Sequence, residues 1–281
     1  MASNRLLIHI RPDAEPTNIA ALLSYIDQHR EQQIETIADL IGFASEIGLK
    51  KDEGESIAAM MQLLGLISRD ALGVQITNLG DSFLQIRESD QNDVLHFLFY
   101  ILWTASEPAI AVKSWSYRYN VDRYWDMQTA VLDSDNVARR VEEARNDAEA
   151  AFAEMGFSEL DPASFGPKSL AAIHKWLSTL KPPVIENDTF NRRSFCPPEL
   201  LLLALGWVVS REGLPDTDVL LSRETRDAVC RVCLLEPTAF DRALDWMIPI
   251  FPHVIASGTS AGFYGRFVRF HKLPELADVI R

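Results

Sequence analysis

The apolar residues of this chain recur at intervals of three and four, which predicts a mainly α-helical protein. Ile19, Leu22, Leu23 and Ile26 show this spacing near the N-terminus. The run Val94–Trp103 is apolar almost all round, so we expect it to form a helix that is buried on most sides. The predicted fold class is therefore mainly α, with short β-hairpins attached to a helical body.

A long charged helix is predicted over Asn136–Met155, where apolar residues alternate at steps of four and three. This spacing is typical of a seam between two helices. The stripe spans fewer than three heptads, so we expect it to pack inside the protein rather than to form a free-standing coiled coil.

The pattern is most specific between residues 35 and 86. It predicts a helix over Glu35–Ile47, a polar turn, and a second helix over about Glu55–Leu64. Two short extended pieces follow around Gly73, and Thr77 is placed to cap a further helix. The expected order of elements is helix, helix, hairpin, helix.

Two short phrases within this segment carry a resemblance to a known family. Leu63–Ile67 reads LLGLI at the end of the second helix, and Ile76–Gly80 reads ITNLG at the start of the last one. In this respect residues 35–86 resemble the winged-helix superfamily. The resemblance implies a helical core with a β-hairpin wing, and it implies a role in DNA binding, dimerisation or protein docking without choosing among them.

The C-terminal residues repeat this organisation in outline. Helices are expected over about Arg223–Leu235 and Thr238–Met247, followed by a hairpin that ends near His271. We therefore predict a second winged helix near residues 223–281. With a Pro-rich linker over Lys181–Asp188, the predicted organisation has four parts: an N-terminal segment (1–32), a winged helix (33–90), a helical middle domain (91–181) and a C-terminal domain (182–281).

Composition places the chain among ordinary globular proteins. It has 281 residues, of which 47% are hydrophobic and 24% charged. No run approaches the roughly 20 apolar residues that cross a bilayer, and the first residues do not read as a signal peptide. Three cysteines cannot pair completely. We therefore expect a cytoplasmic protein with no membrane partner.

The net charge of −13 restricts nucleic-acid binding to a local patch, because an acidic surface repels phosphates. Residues 1–181 carry a charge of −11 and residues 182–281 only −2. Within residues 32–90 there are four cations against ten anions, so the first winged helix is expected to serve structure or docking rather than DNA reading.

The C-terminal hairpin interleaves cations with aromatic residues. We predict that its cations contact DNA phosphates and that two linker arginines extend the patch; ordinary solvated charges are the alternative. The predicted DNA-binding residues are Arg266, Arg269, Lys272, Arg192 and Arg193.

An aromatic run over Trp115–Trp125 is compositionally unusual, with five aromatic residues and two arginines. Such residues dominate protein-binding hot spots, and they also stack on bases. A third interpretation is an aromatic knot that joins two helical halves. The predicted partner-binding residues are Trp115, Tyr117, Arg118, Tyr119 and Trp125.

No motif for a reaction, a metal or a cofactor stands out. Cys230 and Cys233 form a CxxC pair in the middle of a predicted helix, where buried structural cysteines are expected. We assign no catalytic residue, no metal and no cofactor. The predicted function is a non-enzymatic bacterial DNA-associated or adapter protein in regulation, DNA modification or defence. The alternatives are a subunit that binds only protein, and an enzyme of unrecognised family; a homo-oligomer is compatible with each.

Overall fold

Helices account for most of the computed structural model, which describes residues 6–32, 34–70, 73–105, 107–154, 160–211, 218–260 and 265–280. Short 3₁₀ turns link several of the helices. Within these residues the α-helices are α1 (Pro16–Gln28), α2 (Ile37–Glu46), α3 (Lys51–Leu63), α4 (Asn78–Leu84), α5 (Glu88–Ile101), α6 (Pro108–Met127), α7 (Ser134–Glu154), α8 (Pro167–Ser178), α9 (Pro198–Arg211), α10 (Arg223–Cys233) and α11 (Phe240–Met247).

The strands are short and form four small sheets. They are β1 (Leu6–Leu7), β2 (Ile67–Asp70), β3 (Gly73–Ile76), β4 (Thr129–Val131), β5 (Leu160–Asp161), β6 (Ile185–Glu186), β7 (Thr189–Asn191), β8 (Val219–Leu220), β9 (Ile255–Ser260) and β10 (Gly265–Phe270). β1 pairs with β5 in parallel. The hairpin β2–β3 and the sheets ordered β4-β7-β6 and β8-β10-β9 are antiparallel. The predicted mainly α class with small hairpins is confirmed.

The first unit contains α1, α2, α3, the hairpin β2–β3 and α4. Thr36 and Asp39 form a reciprocal cap at the start of α2, because each side chain accepts a hydrogen bond from the backbone N–H of the other. Thr77 caps α4 as predicted, accepting from the Gly80 N–H at 3.0 Å. The predicted order helix, helix, hairpin, helix is present over these residues.

Two glycines account for the LLGLI and ITNLG phrases, which lie at the end of α3 and at the start of α4. Gly65 has φ of +74°, the left-handed region that ends a helix without a Cβ penalty. A Cβ at Gly80 would stand 2.2 Å from the carbonyl oxygen of Leu66. Gly80 is therefore required by the close approach of α4 to the chain that leaves α3.

A continuous hydrophobic core runs from Ile8 to Val279. α5 packs against α1 on one side and α9 on the other, so the core crosses the predicted boundary between residues 181 and 182. The predicted linker is part of this structure: Val184 is buried, and β6 pairs with β7. Val184 and Ile185 of the predicted linker therefore contribute to the packing between the parts that it connects.

α6 is the largest element that the sequence pattern did not predict. Pro108 does not interrupt this helix, because it occupies the first turn of α6, where a proline has no hydrogen bond to lose. The aromatic run Trp115–Trp125 lies wholly within this helix.

None of the helices in the described ranges is both long and apolar enough to cross a membrane.

The second unit follows from α9 onward. β8 leads into α10 and α11, and the hairpin β9–β10 returns so that β10 lies between β8 and β9. The tip of the predicted hairpin, residues 261–264, lies outside the described residues. Leu276 and Val279 in the last turn are buried, so the chain end is packed onto the body.

Candidate functional site

The outer face of α11 is the most unusual surface of the second unit. Phe240, Leu244 and Met247 turn inward and are fully buried. Asp241, Arg242, Asp245 and Trp246 face solvent, and the large aromatic Trp246 is 50% exposed. A half-exposed tryptophan off the buried stripe of an amphipathic helix has no role in the core.

Neighbouring side chains hold the Trp246 ring in place. The ring centroid of Phe195 lies 4.7 Å away at an interplanar angle of 48°. Arg242 donates from Nη2 to the Ser194 carbonyl oxygen at 2.9 Å. Together with Ala243 these residues line a shallow cavity of about 280 Å³. The result is a rigid apolar notch on the surface.

Acidic side chains flank this notch on the same helix. Asp241 and Asp245 are 54% and 69% exposed. Arg226 lies 2.8 Å from Asp241. Arg266 on β10 lies 2.6 Å from Asp245 and 3.6 Å from Asp241. Arg226 and Arg266 thus pair with these carboxylates, which nevertheless remain more than half exposed to solvent.

The three hairpin cations that were predicted to contact DNA all have acidic partners. Arg266 is held by the two aspartates of α11, and its side chain is only 17% exposed. Arg269 donates twice to Asp218, at 2.7 and 2.9 Å. Lys272 pairs with Asp278. These residues do not converge on one face as a free basic strip.

The two linker arginines are drawn into the protein. Arg192 stacks over Trp125 at 4.1 Å, donates from Nε to its carbonyl oxygen at 2.7 Å, and has a side chain only 8% exposed. Arg193 is buried and pairs with Asp93. The expectation that Arg193 meets a phosphate is corrected, because its guanidinium cannot reach the surface in this fold.

The aromatic run forms an internal knot on α6. Tyr117 is fully buried and Trp125 nearly so, with its indole N–H donating to the Leu235 carbonyl at 3.1 Å. Trp115 stacks on Tyr119 with centroids 4.9 Å apart. Tyr117 and Trp125 therefore face the core and not a partner, which corrects that expectation for both.

The arginines and phenols of the same run contact partners within the protein. Arg118 lies 3.2 Å from Asp122 and over the Trp103 ring at 4.0 Å. Tyr119 donates to Asp147 at 2.6 Å. The run therefore joins α6 to α5 and α7, as in the third interpretation of its sequence.

The nucleophilic and titratable groups of the core are held in unreactive states. Cys196, Cys230 and Cys233 are free and buried, and burial raises the pKa of the Cys230 and Cys233 thiols. Burial also lowers the pKa of His96 to about 3, while its ring nitrogens meet Tyr117 Oη and the Val232 carbonyl. Across the described ranges no three His, Cys, Asp or Glu side chains are grouped to hold a metal.

The sequence analysis missed Trp246 and Phe195. One signal was available: Trp246 falls outside the stripe formed by Phe240, Leu244 and Met247, so its exposure was predictable.

Comparison of the chain with family models, curated proteins and solved structures gives no match. The geometry of the α11 face is therefore the basis for assigning a function.

Proposed function

We propose that this protein is a non-enzymatic adapter whose α11 face docks a basic segment of a partner protein. The observation that carries the proposal is the half-exposed Trp246, held by Phe195 and flanked by the open carboxylates of Asp241 and Asp245. Tryptophan is enriched among binding hot spots. Acidic residues around it attract a positively charged surface and repel a negative one.

We further propose that both units are winged helices. For the second unit, the support is the path β8, α10, α11, β9, β10 with β10 in the middle of its sheet. For the first unit, the support is the path α1, α2, α3 and the hairpin β2–β3. In this comparison α11 takes the position of the helix that reads DNA in helix-turn-helix proteins.

The chemistry of α11 favours protein over DNA as the ligand of that helix. DNA readers place cations and amide side chains against phosphates and base edges. Here the outer face offers two aspartates, Trp246 and a single Arg242. A partner with lysine or arginine beside an apolar side chain would match both the charge and the notch.

Direct DNA contact through the β9–β10 hairpin is the second candidate function, and the winged-helix path of the chain is what favours it. Arg266, Arg269 and Lys272 would serve as the phosphate contacts. Each of the hairpin cations would have to leave its carboxylate partner to bind a phosphate, which reduces the net free energy gained on DNA binding. We expect such binding to be non-specific and sensitive to salt.

The experiment that tests the adapter is quantitative affinity purification of the full chain from its source cells, with wild type, Trp246→Ala and Leu220→Ala compared. Leu220 is the matched control, because it is 46% exposed and apolar but lies on β8. A specific basic protein should co-purify with wild type and Leu220→Ala. The purified pair should then bind with a Kd that Trp246→Ala raises at least tenfold.

Two results would contradict the adapter. One is a partner whose Kd is the same for Trp246→Ala and wild type, when both variants unfold at the same temperature. The other is salt-dependent binding of double-stranded DNA, between about 50 and 200 mM salt, that is lost when Arg266, Arg269 and Lys272 are all changed to Ala. That second result would transfer the function to the hairpin.

A further inference from the structure

A cavity of about 390 Å³ lies between the segment that contains β1, helix α3 and helix α6. Its walls are largely apolar and its polar groups are few. It is lined by Leu7, His9, Ile10, Arg11, Ala14, Glu55, Ser56, Ala59, Met60, Leu63, Phe99 and Lys113. Cavities of this size and character are typical of small-molecule sites.

The charged groups of this cavity are mainly positive, in a chain with a net charge of −13. Arg11, Lys113 and His9 line it, and Lys168 lies near enough to His9 to lower its pKa. Within the part of the chain that the structure describes, neither Lys113 nor Arg11 forms an ion pair. The lysines that do so are Lys50, Lys175 and Lys272. Glu55, on the exposed face of α3, is the only lining acid.

Hydrogen bonds fix two of the lining groups from behind. Arg11 donates from Nη1 to Ser56 Oγ at 3.1 Å, and Ser56 in turn donates to the Asp52 carbonyl at 2.8 Å. His9 Nδ1 lies 2.6 Å from Ser169 Oγ on α8. Three separate elements therefore position the cations and the imidazole around one space.

Burial and the neighbouring basic groups disfavour the charged forms of Lys113 and His9. Burial, followed by the nearby Arg11, lowers the pKa of Lys113. Burial also lowers the pKa of His9, with further contributions from Arg11, Lys113 and Lys168. Like charges that converge at a partly buried site destabilise one another, and such strain is typical of sites arranged for a ligand of opposite charge.

We propose that the cavity binds a small organic anion, with a phosphate or carboxylate group at Arg11 and Lys113 and an apolar body against Met60, Leu63 and Phe99. The charge of the lining selects the anionic group. The apolar walls select a ligand that carries carbon as well as charge. The site shares no lining residue with the α11 notch, so it is independent of the proposed adapter role.

Isothermal titration of the full chain with three probes tests this site. Phenyl phosphate carries both features, inorganic phosphate carries only the charge, and benzyl alcohol carries only the apolar ring. We expect saturable 1:1 binding of phenyl phosphate and at least tenfold weaker binding of the other two. Equal binding of inorganic phosphate would overturn the apolar part of the proposal, and absence of phenyl phosphate binding would overturn the site.

A pair of lysine variants separates this site from general charge effects. Lys113→Gln should weaken phenyl phosphate at least tenfold, whereas Lys272→Gln, with the same charge change at the other end of the chain, should leave it unchanged. Without ligand, Lys113→Gln should unfold at the same or a higher temperature, because a repelled charge is removed. Equal loss of binding in both variants would overturn the proposal, as would a lower unfolding temperature for Lys113→Gln.

Discussion

The guanidinium of Arg193 lies 2.6 Å from the carboxylate of Asp93, and the two residues are 100 positions apart in the chain. Both side chains are shielded from solvent. The second carboxylate oxygen of Asp93 accepts from the Lys181 N–H at 3.0 Å, and Arg193 Nε donates to the Cys233 carbonyl at 2.7 Å. This pair joins α5 to the segment before α9 and to the end of α10.

Removing one partner of the pair should be strongly destabilising. Arg193→Ala leaves the Asp93 carboxylate buried without its cation, which typically costs about 3–5 kcal/mol. Urea unfolding at neutral pH measures this loss. Arg269→Ala is the control, because its pair with Asp218 is largely exposed and should contribute under about 1 kcal/mol. Similar losses for the two variants would contradict the structural role of Arg193.

The buried histidines predict loss of stability in mild acid. Burial lowers the pKa of His96 to about 3 and that of His174 to about 4, against an ordinary value of 6.5. Between these values the unfolded chain binds a proton at each position and the folded chain does not. Stability should therefore fall as the pH drops below about 6.5, and it should level off only near pH 3–4.

The size of this effect follows from the proton count. Each histidine that stays neutral in the folded state should lower the free energy of unfolding by about 2 kcal/mol between pH 7 and pH 5. Urea titrations at the two pH values measure the total, and NMR of the imidazole protons assigns it. Protonation of His96 in the folded chain near pH 6 would contradict this account, as would equal stability at both pH values.

Sequence patterns predicted those elements whose signals are local. The cap of α4 acts within a few residues, so Thr77 could be assigned its role directly. α10 and α11 were also predicted close to their observed bounds, since their apolar stripes are regular. The existence and type of these helices needed no tertiary information.

The features that failed depend on contacts between distant parts of the chain. Arg193 was given a surface role because nothing near it in sequence reveals Asp93. Gly54 was taken for a turn, but it lies in α3, where a Cβ would stand 2.9 Å from Ala44 Cβ on α2. Lys113 and Arg11 come together only through the packing of α6 against the N-terminal segment. Local patterns carry no information on such meetings.

Neutralising Asp241 and Asp245 on α11 should weaken the binding of a basic protein and strengthen the binding of DNA. In the double variant Asp241→Asn, Asp245→Asn, Arg266 loses both carboxylate partners and the face loses two negative charges. We expect weaker binding of a basic protein partner. We also expect tighter non-specific binding of double-stranded DNA, by about three- to tenfold at 50 mM salt. Fluorescence anisotropy measures the DNA affinity.

The matched control for this variant is Glu142→Gln, Glu149→Gln. It makes the same change in net charge on exposed positions of α7, away from α11. If the two double variants gain the same DNA affinity, net charge alone explains the gain. If only the α11 variant gains DNA affinity, Arg266 is the residue that contacts phosphate. In the wild type its guanidinium is occupied by Asp241 and Asp245.

Two glycine-to-alanine changes in the first unit should have opposite signs. A Cβ at Gly80 would stand 2.2 Å from the Leu66 carbonyl oxygen and 2.7 Å from Ile76 Cγ2, so α4 must move away from the chain below it. We expect Gly80→Ala to lower the free energy of unfolding by about 1–3 kcal/mol or more. Gly42, inside α2, has no atom within 4 Å of the same position.

Gly42→Ala should therefore stabilise the protein by about 0.5–1 kcal/mol, because alanine loses less backbone entropy in a helix. Both values come from urea unfolding under one condition, and the contrast between them matters more than either alone. Backbone entropy favours alanine at both positions, so the close contacts with Leu66 and Ile76 make the signs differ. Stabilisation by both variants would mean that α4 does not pack on Leu66 as closely as the fold requires.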